Sequence, residues 1–210
     1  MALPASDEFL QGGADQGLTA YSANWSYANG TFIVPTSVGY VRPASVATDS
    51  IAYWNADAFD PDQVSQIVTA AGWAATGLFV GPAVRCSAGA GYAIEANGSE
   101  WYLGRMIGGV WSTIANGLRT FADADVMRLE VTGIGATVTL VFKHATAAAP
   151  TTFTTVTTFG DTAGTRILSG GAGISGYDSG SVPAIGRWDA NNLAGAPPST
   201  MVAIVNMMGL

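Results

Sequence analysis

Gly91 to Ala115 reads GYAIEANGSEWYLGRMIGGVWSTIA, and this stretch decides the fold class. Tyr92, Ile94 and Ala96 alternate with Ala93, Glu95 and Asn97, which is the two-residue period of a strand. Asn97-Gly98 then turns the chain, and Trp101, Leu103 and Arg105 alternate with Tyr102, Gly104 and Met106 on the return. Gly108-Gly109 turns it again into Val110 to Ile114. Asn-Gly between alternating runs is a strong hairpin signal, because both central residues of a type I′ turn need φ > 0. The stretch predicts a β-meander.

The same grammar extends in both directions. Thr31 to Val34 is a β-branched run stopped by Pro35, and Ser50 to Trp54 is another run, followed by an Asp60-Pro61-Asp62 turn. Gln63 to Ala71 also fits a helical score, but its β-branched content favours a strand. Gly77 to Arg85 predicts a buried strand with a bulge at Gly81-Pro82. Asp125 to Val131 and Ala136 to His144 form a further hairpin pattern, and a Thr-rich run follows from Pro150 to Thr158. Gly170 to Gly176 lacks the spacing of a phosphate loop and suits a turn entering a close-packed strand. Arg187 to Asp189 reads as the last strand of the body. Many short strands between glycine turns, with no long helical period and no second domain, predict an all-β, two-sheet antiparallel sandwich over residues 1–190.

Residues 191–210 change character. After Ala196-Pro197-Pro198-Ser199 comes an apolar tail that includes Met201, Val202, Ile204, Val205, Met207, Met208 and Leu210. An apolar terminus needs cover. It is either an added strand of the sandwich or an assembly arm that docks on a neighbour.

Composition narrows the function classes. The 210 residues are 49% hydrophobic and only 11% charged, with a net charge of −7. The eight Lys and Arg residues are scattered singly, so no basic stripe exists to release counterions from nucleic acid. No run of about 18 apolar residues suggests a membrane span. The opening MALPASDEFLQG has neither the basic nor the apolar region of a signal peptide. The one cysteine, Cys86, lies in a strand-like run and reads as a small buried hydrophobe. His144 is the only histidine and is expected at a solvent-exposed strand end, with neither a triad nor a zinc site around it. No metal or other cofactor is expected, except for a possible Ca²⁺ at the Asp57, Asp60 and Asp62 cluster, whose spacing is not that of an EF-hand.

In order along the chain, Asp7-Glu8-Phe9, Trp25, Gly30-Thr31-Phe32, Gln63-Val64, Gly81 to Arg85, Trp101 to Arg105, Arg128 to Gly133, Asp161 and Gly170 to Gly176 resemble the concanavalin A-like lectin/glucanase superfamily in its laminin-G-like form. The resemblance covers about residues 6 to 190 and implies a jelly roll of two curved sheets. It does not imply one function, since lectins, glycosidases and structural modules share the fold. A looser resemblance, of style only, is to domains of tailed-bacteriophage virion proteins. It implies a non-enzymatic structural role as a capsid decoration or a head or tail fibre component. The protein would then reside in a virion assembled in the host cytoplasm, as an oligomer in contact with other virion proteins or its own copies.

The alternative is a carbohydrate-binding, lectin-like module. Sugar sites stack exposed rings on the pyranose face, and the candidate rings are Trp25, Tyr27, Tyr53, Trp54, Trp73, Trp101, Tyr102, Trp111, Tyr177 and Trp188. Trp101 or Tyr102, with Trp111 and Arg105 on adjacent strands, form the expected glycan contacts. Alternation requires one ring of Trp101-Tyr102 to point inward. Catalysis is not expected. Glu95-Ala96-Asn97-Gly98-Ser99-Glu100 matches the spacing of the superfamily's glutamate pair, but with Asn in place of the central Asp and a turn in the middle. Solvent at a loop tip is expected to hold both carboxyls near their ordinary pKa values.

Overall fold

The computed structural model describes residues 4–36, 39–45, 47–177 and 184–193. Among them the chain forms sixteen strands and one short helix. The strands are β1 (Ala5–Asp7), β2 (Gln16–Gly17), β3 (Trp25–Asn29), β4 (Phe32–Val34), β5 (Arg42–Pro43), β6 (Asp49–Trp54), β7 (Gln63–Thr69), β8 (Phe79–Ser87) and β9 (Ala90–Ala96). They continue as β10 (Glu100–Ile107), β11 (Val110–Leu118), β12 (Val126–Thr132), β13 (Val138–Ala145), β14 (Thr154–Asp161), β15 (Gly171–Tyr177) and β16 (Ile185–Asn192), and α1 spans Leu18–Tyr21. A six-stranded sheet, β1-β16-β7-β12-β13-β14, packs on a seven-stranded sheet, β11-β10-β9-β8-β15-β6-β3, and a small sheet, β2-β4-β5, covers one side. Neighbouring strands in these sheets pair antiparallel, so the protein is an all-β, two-sheet jelly-roll sandwich. No helix among the described residues is long and apolar enough to cross a membrane.

The space between the large sheets holds the main core. Trp25, Trp54 and Trp188 form a cluster with ring centroids 4.8 to 5.5 Å apart. Each such ring contributes roughly 4 kcal/mol by area burial, an upper value because the denatured chain is itself partly compact. Polar groups cross the same gap and are satisfied there. Ser65 Oγ donates to Gly173 O and accepts from Trp188 Nε1, and Gln63 Nε2 donates to Gly170 O. Arg85, fully buried, donates to Pro61 O, Ile167 O and Gly133 O and so locks three loops at one end. Its φ is 51°, at the irregularity in β8 between Val84 and Ser87.

The meander forms as expected, but its two turns differ in mechanism. Gly108 and Gly109 have φ values of 60° and 77°, which suits the two-residue turn closing the Ile107–Val110 pair. Neither Asn97 nor Gly98 has positive φ. There the Asn97 carboxamide holds the turn, with Oδ1 accepting from Ser99 N at 2.9 Å and Glu100 N at 3.0 Å. Gly98 is required by space, since a Cβ on it would lie 2.2 Å from Ala74 O.

His144 departs from expectation. It is buried, Nδ1 accepts from Arg119 Nε at 3.0 Å, and Nε2 lies 2.7 Å from Asp125 Oδ2. Within β13 His144 shares the inward-facing positions of Val138, Leu140 and Phe142, which sets its ring edge to face with Phe121 at 5.0 Å. The last strand continues to Asn192, two residues beyond the expected boundary at 190. The expected tail contacts, Met201 to Leu210, lie outside the described residues.

Candidate functional site

Register divides the seven-stranded sheet into two faces. Trp101, Leu103 and Arg105 of β10 pair with Ala96, Ile94 and Tyr92 of β9 and face the core. Tyr102, Gly104 and Met106 pair with Glu95, Ala93 and Gly91 and face outward. The four residues expected to contact a glycan therefore do not share one surface. Trp101 is 6% exposed, with its ring 5.7 Å from Phe142. Arg105 bonds both oxygens of Asp161 at 3.1 and 2.8 Å, beneath the sheet. Tyr102 and Trp111 remain on the outer face. Trp111 lies over Gly104, where a Cβ would come within 2.0 Å of its ring.

Five of the six tryptophans are buried, which leaves Trp111 as the one presented to solvent. It packs on a second, smaller apolar cluster made by Ile51, Ala83, Cys86, Ala93 and Met106. Tyr53 and Ala28 pack on the same cluster. The face is strongly concave. Ile51 of β6 reaches β9, three strands away, where a Cβ on Gly91 would lie 3.4 Å from its Cδ1. Backbone bonds from Gly89 N to Ala28 O and from Gly109 N to Gly89 O close one end of the trough.

Beside Tyr53 the trough opens into a groove of about 360 Å³ whose lining includes Asn55, Asp57, Phe59, Cys86 and Gly170-Gly171. Trp54 Nε1 donates to Asp57 Oδ2 at 2.8 Å and fixes that carboxylate. A Cβ on Gly171 would lie 2.8 Å from Trp54 O, so the floor there is bare backbone. Burial pushes the Cys86 thiol well above its ordinary range, so it lines the groove as a neutral, apolar group. The three aspartates considered for Ca²⁺ face different partners. Asp57 takes the Trp54 indole, Asp60 binds Asn192, and Asp62 accepts from Gly133 N. Among the described residues no three His, Cys, Asp or Glu side chains converge as a metal site.

Glu95 overturns a second expectation. It is 4% exposed rather than solvated at a loop tip, because it projects into the trough from the middle of the sheet row and not from the turn. Burial raises its pKa well above the ordinary value, and the charge and hydrogen bond of Asp49 raise it further. Burial likewise raises Asp49, and its hydrogen bond with Glu95 opposes that shift. Burial and the neighbouring Asp49 thus both favour the neutral form of Glu95. Glu95 Oε1 has no hydrogen-bond partner and no solvent contact. Glu100 instead accepts from Tyr102 OH at 2.9 Å. The Tyr102, Phe79 and Tyr177 rings make a row along this end, with Phe79 5.7 Å from Tyr102 and 6.4 Å from Tyr177. Asp49 carries no motif and no sequence signal points to it, whereas Tyr53 and Tyr177 are among the candidate rings.

No protein-family model matches the chain, and no curated protein matches it in sequence. Solved structures do match. The exoplasmic/lumenal domain of VIP36, in its Ca²⁺/Man2-bound form, aligns with a TM-score of 0.52 and 13% identity, over 90% of this chain and 88% of that one. Xyloglucan PUL GH43B of Bacteroides ovatus aligns with a TM-score of 0.51 and 17% identity, over 92% of this chain but only 40% of the other. The carbohydrate binding module CBM66 of Bacillus subtilis aligns with a TM-score of 0.49 and 18% identity, over 80% of this chain and 92% of that one. At these identities the likeness is one of fold alone.

Proposed function

We propose that this protein is a carbohydrate-binding module that works by non-covalent recognition on the outer face of its seven-stranded sheet. One observation carries the reading. Trp111 and Tyr53, both half-buried, rest on the same apolar floor, beside a groove supplied with Asn55, Asp57 and bare glycine backbone. Flat rings give sugars an apolar stacking surface, and a few fixed polar groups bond their hydroxyls. The VIP36 domain, whose structure holds Man2, has the same jelly roll, which supports the reading at the level of fold. The absence of catalysis is supported by the commitments of the two glutamates, Glu95 to Asp49 and Glu100 to Tyr102. Glycoside hydrolysis needs two carboxyls that flank the scissile bond. A virion structural role rests on composition and on the tail at 201–210, and no observation among the described residues favours it over glycan binding.

The test is a glycan array probed with the full chain, followed by calorimetry on the best binder with Trp111→Ala and Tyr53→Ala. Each variant is expected to lose about tenfold or more in affinity, the effect of about 1.4 kcal/mol, with melting temperature little changed. A blank array, or variants that bind as the wild type does, overturns the proposal.

A further inference from the structure

The eight basic side chains of the chain are all placed, and none stands on the outer face of the seven-stranded sheet. Arg85 is buried against loop carbonyls, and Arg105 lies beneath the sheet on Asp161. Arg119 bonds His144 and Thr154, while Arg128 and Lys143 both pair with Glu130. Arg166 bonds Gly135 O and Ala163 O, Arg187 pairs with Asp189, and Arg42 belongs to the small sheet. The same face carries Asp49, Glu95 and Glu100, with Asp57 at the groove. The asymmetry is complete: acids without a single base, on a concave surface.

We propose that the ligand of this face is a polysaccharide bearing protonated amines or no charge, with amino sugars preferred and uronate-bearing chains excluded. This rests on the carbohydrate-binding reading above and adds the charge class of the sugar. A cleft lined by one sign of charge, with a low-dielectric floor, focuses its field on whatever enters. An ammonium donor in the groove meets Asp57, and others along the opposite end of the face meet Asp49 or Glu100; charge-assisted hydrogen bonds are about twice as strong as neutral ones. A uronate there meets like charge with no cation to neutralise it.

Calorimetry on the full chain tests this with three oligosaccharide probes of equal length: chitosan (free amines), chitin (N-acetylated) and oligogalacturonate, each at mildly acidic pH in low and high salt. Chitosan is expected to bind tightest and to weaken several-fold with salt. Chitin is expected to bind more weakly with little salt dependence, and oligogalacturonate not to bind. Any acidic protein attracts a polycation, so Asp57→Asn and Glu100→Gln are compared with Glu8→Gln, a half-exposed acid of the other sheet's margin. Each removes one negative charge. The first two are expected to weaken chitosan binding several-fold, and Glu8→Gln to leave it unchanged. Equal loss in all three variants, chitin binding as tightly as chitosan, or oligogalacturonate binding at all overturns the inference while leaving the carbohydrate reading intact. Silence toward all three probes also overturns it, and the glycan array then decides the carbohydrate reading by itself.

Discussion

The two faces of the seven-stranded sheet are built from the same strands and follow opposite rules. Inward, β3, β6 and β10 send Trp25, Trp54, Trp101 and Leu103 into the gap between the sheets, where large rings meet edge to face. Outward, the corresponding row is small: Gly104, Ala93, Ala83 and Gly173 lie side by side across β10, β9, β8 and β15. The inner face is filled, so its residues determine stability. The outer face is left low, so a few side chains stand above it and can meet a ligand. Alternation along one strand thus separates two jobs that a change of one residue in register would exchange.

The largest expected effect tests the inner face. Trp188→Ala removes a fully buried ring from the three-indole cluster and leaves Ser65 Oγ and Gly173 O without their indole donor. The expected loss is about 3–5 kcal/mol in urea unfolding. A loss below about 1 kcal/mol would mean that the inner face is no more tightly packed than the outer one, and the comparison would break.

Asp161 gives the next effect, at the margin where the inner face meets the edge of the sandwich. Its carboxylate accepts from Tyr92 OH at 2.6 Å, Ala163 N at 2.9 Å and Arg105 Nη1. Burial pushes its pKa up, but those three bonds outweigh burial and hold it below the usual carboxylate value. Burial and the bond to Asp161 in turn push the Tyr92 phenol up to about 12. A depressed carboxylate stabilises the fold at pH above its unfolded value, and that stabilisation is lost as pH falls through the folded value. Asp161→Asn is expected to cost about 3 kcal/mol at neutral pH by leaving Arg105 unpaired, and to flatten the acid limb of the stability profile. An unchanged acid limb would assign acid sensitivity to other groups.

The fold was legible because the sheets are made of local signals. Each meander strand alternates, and Gly108-Gly109 has the chemistry its turn demands. Faces were legible only as alternatives: alternation says that Trp101 and Tyr102 point apart, but which points inward depends on the second sheet, here on Phe142. Long-range partners were not legible. His144 looks like a strand-end residue until Asp125 and Arg119 close over it, and Arg105 looks like a sugar ligand until Asp161 takes it. The groove escaped because its polar residues come from the loop after β6, and its floor is a glycine pair that in sequence signals only a turn.

Glu95 tests the outer face, with the smallest effect. A carboxyl whose pKa is raised in the fold contributes stability fully at pH below its unfolded value, and that contribution fades as pH rises through the folded value. Burial first, and Asp49 second, raise Glu95 in this way. Glu95→Gln keeps a donor toward Asp49 and carries no proton to lose. In acid the variant and the wild type are expected to differ by less than about 1 kcal/mol. Toward alkaline pH the wild type is expected to lose melting temperature as a second charge is forced into the trough beside Asp49, and the variant is expected to keep it. Thermal melts across the pH range read this directly. A difference that stays flat with pH would mean that Glu95 is not held neutral, and that the outer face tolerates charge as freely as an ordinary surface. A difference that widens with pH would establish that a face left low for a ligand still has a dry interior of its own, around Glu95.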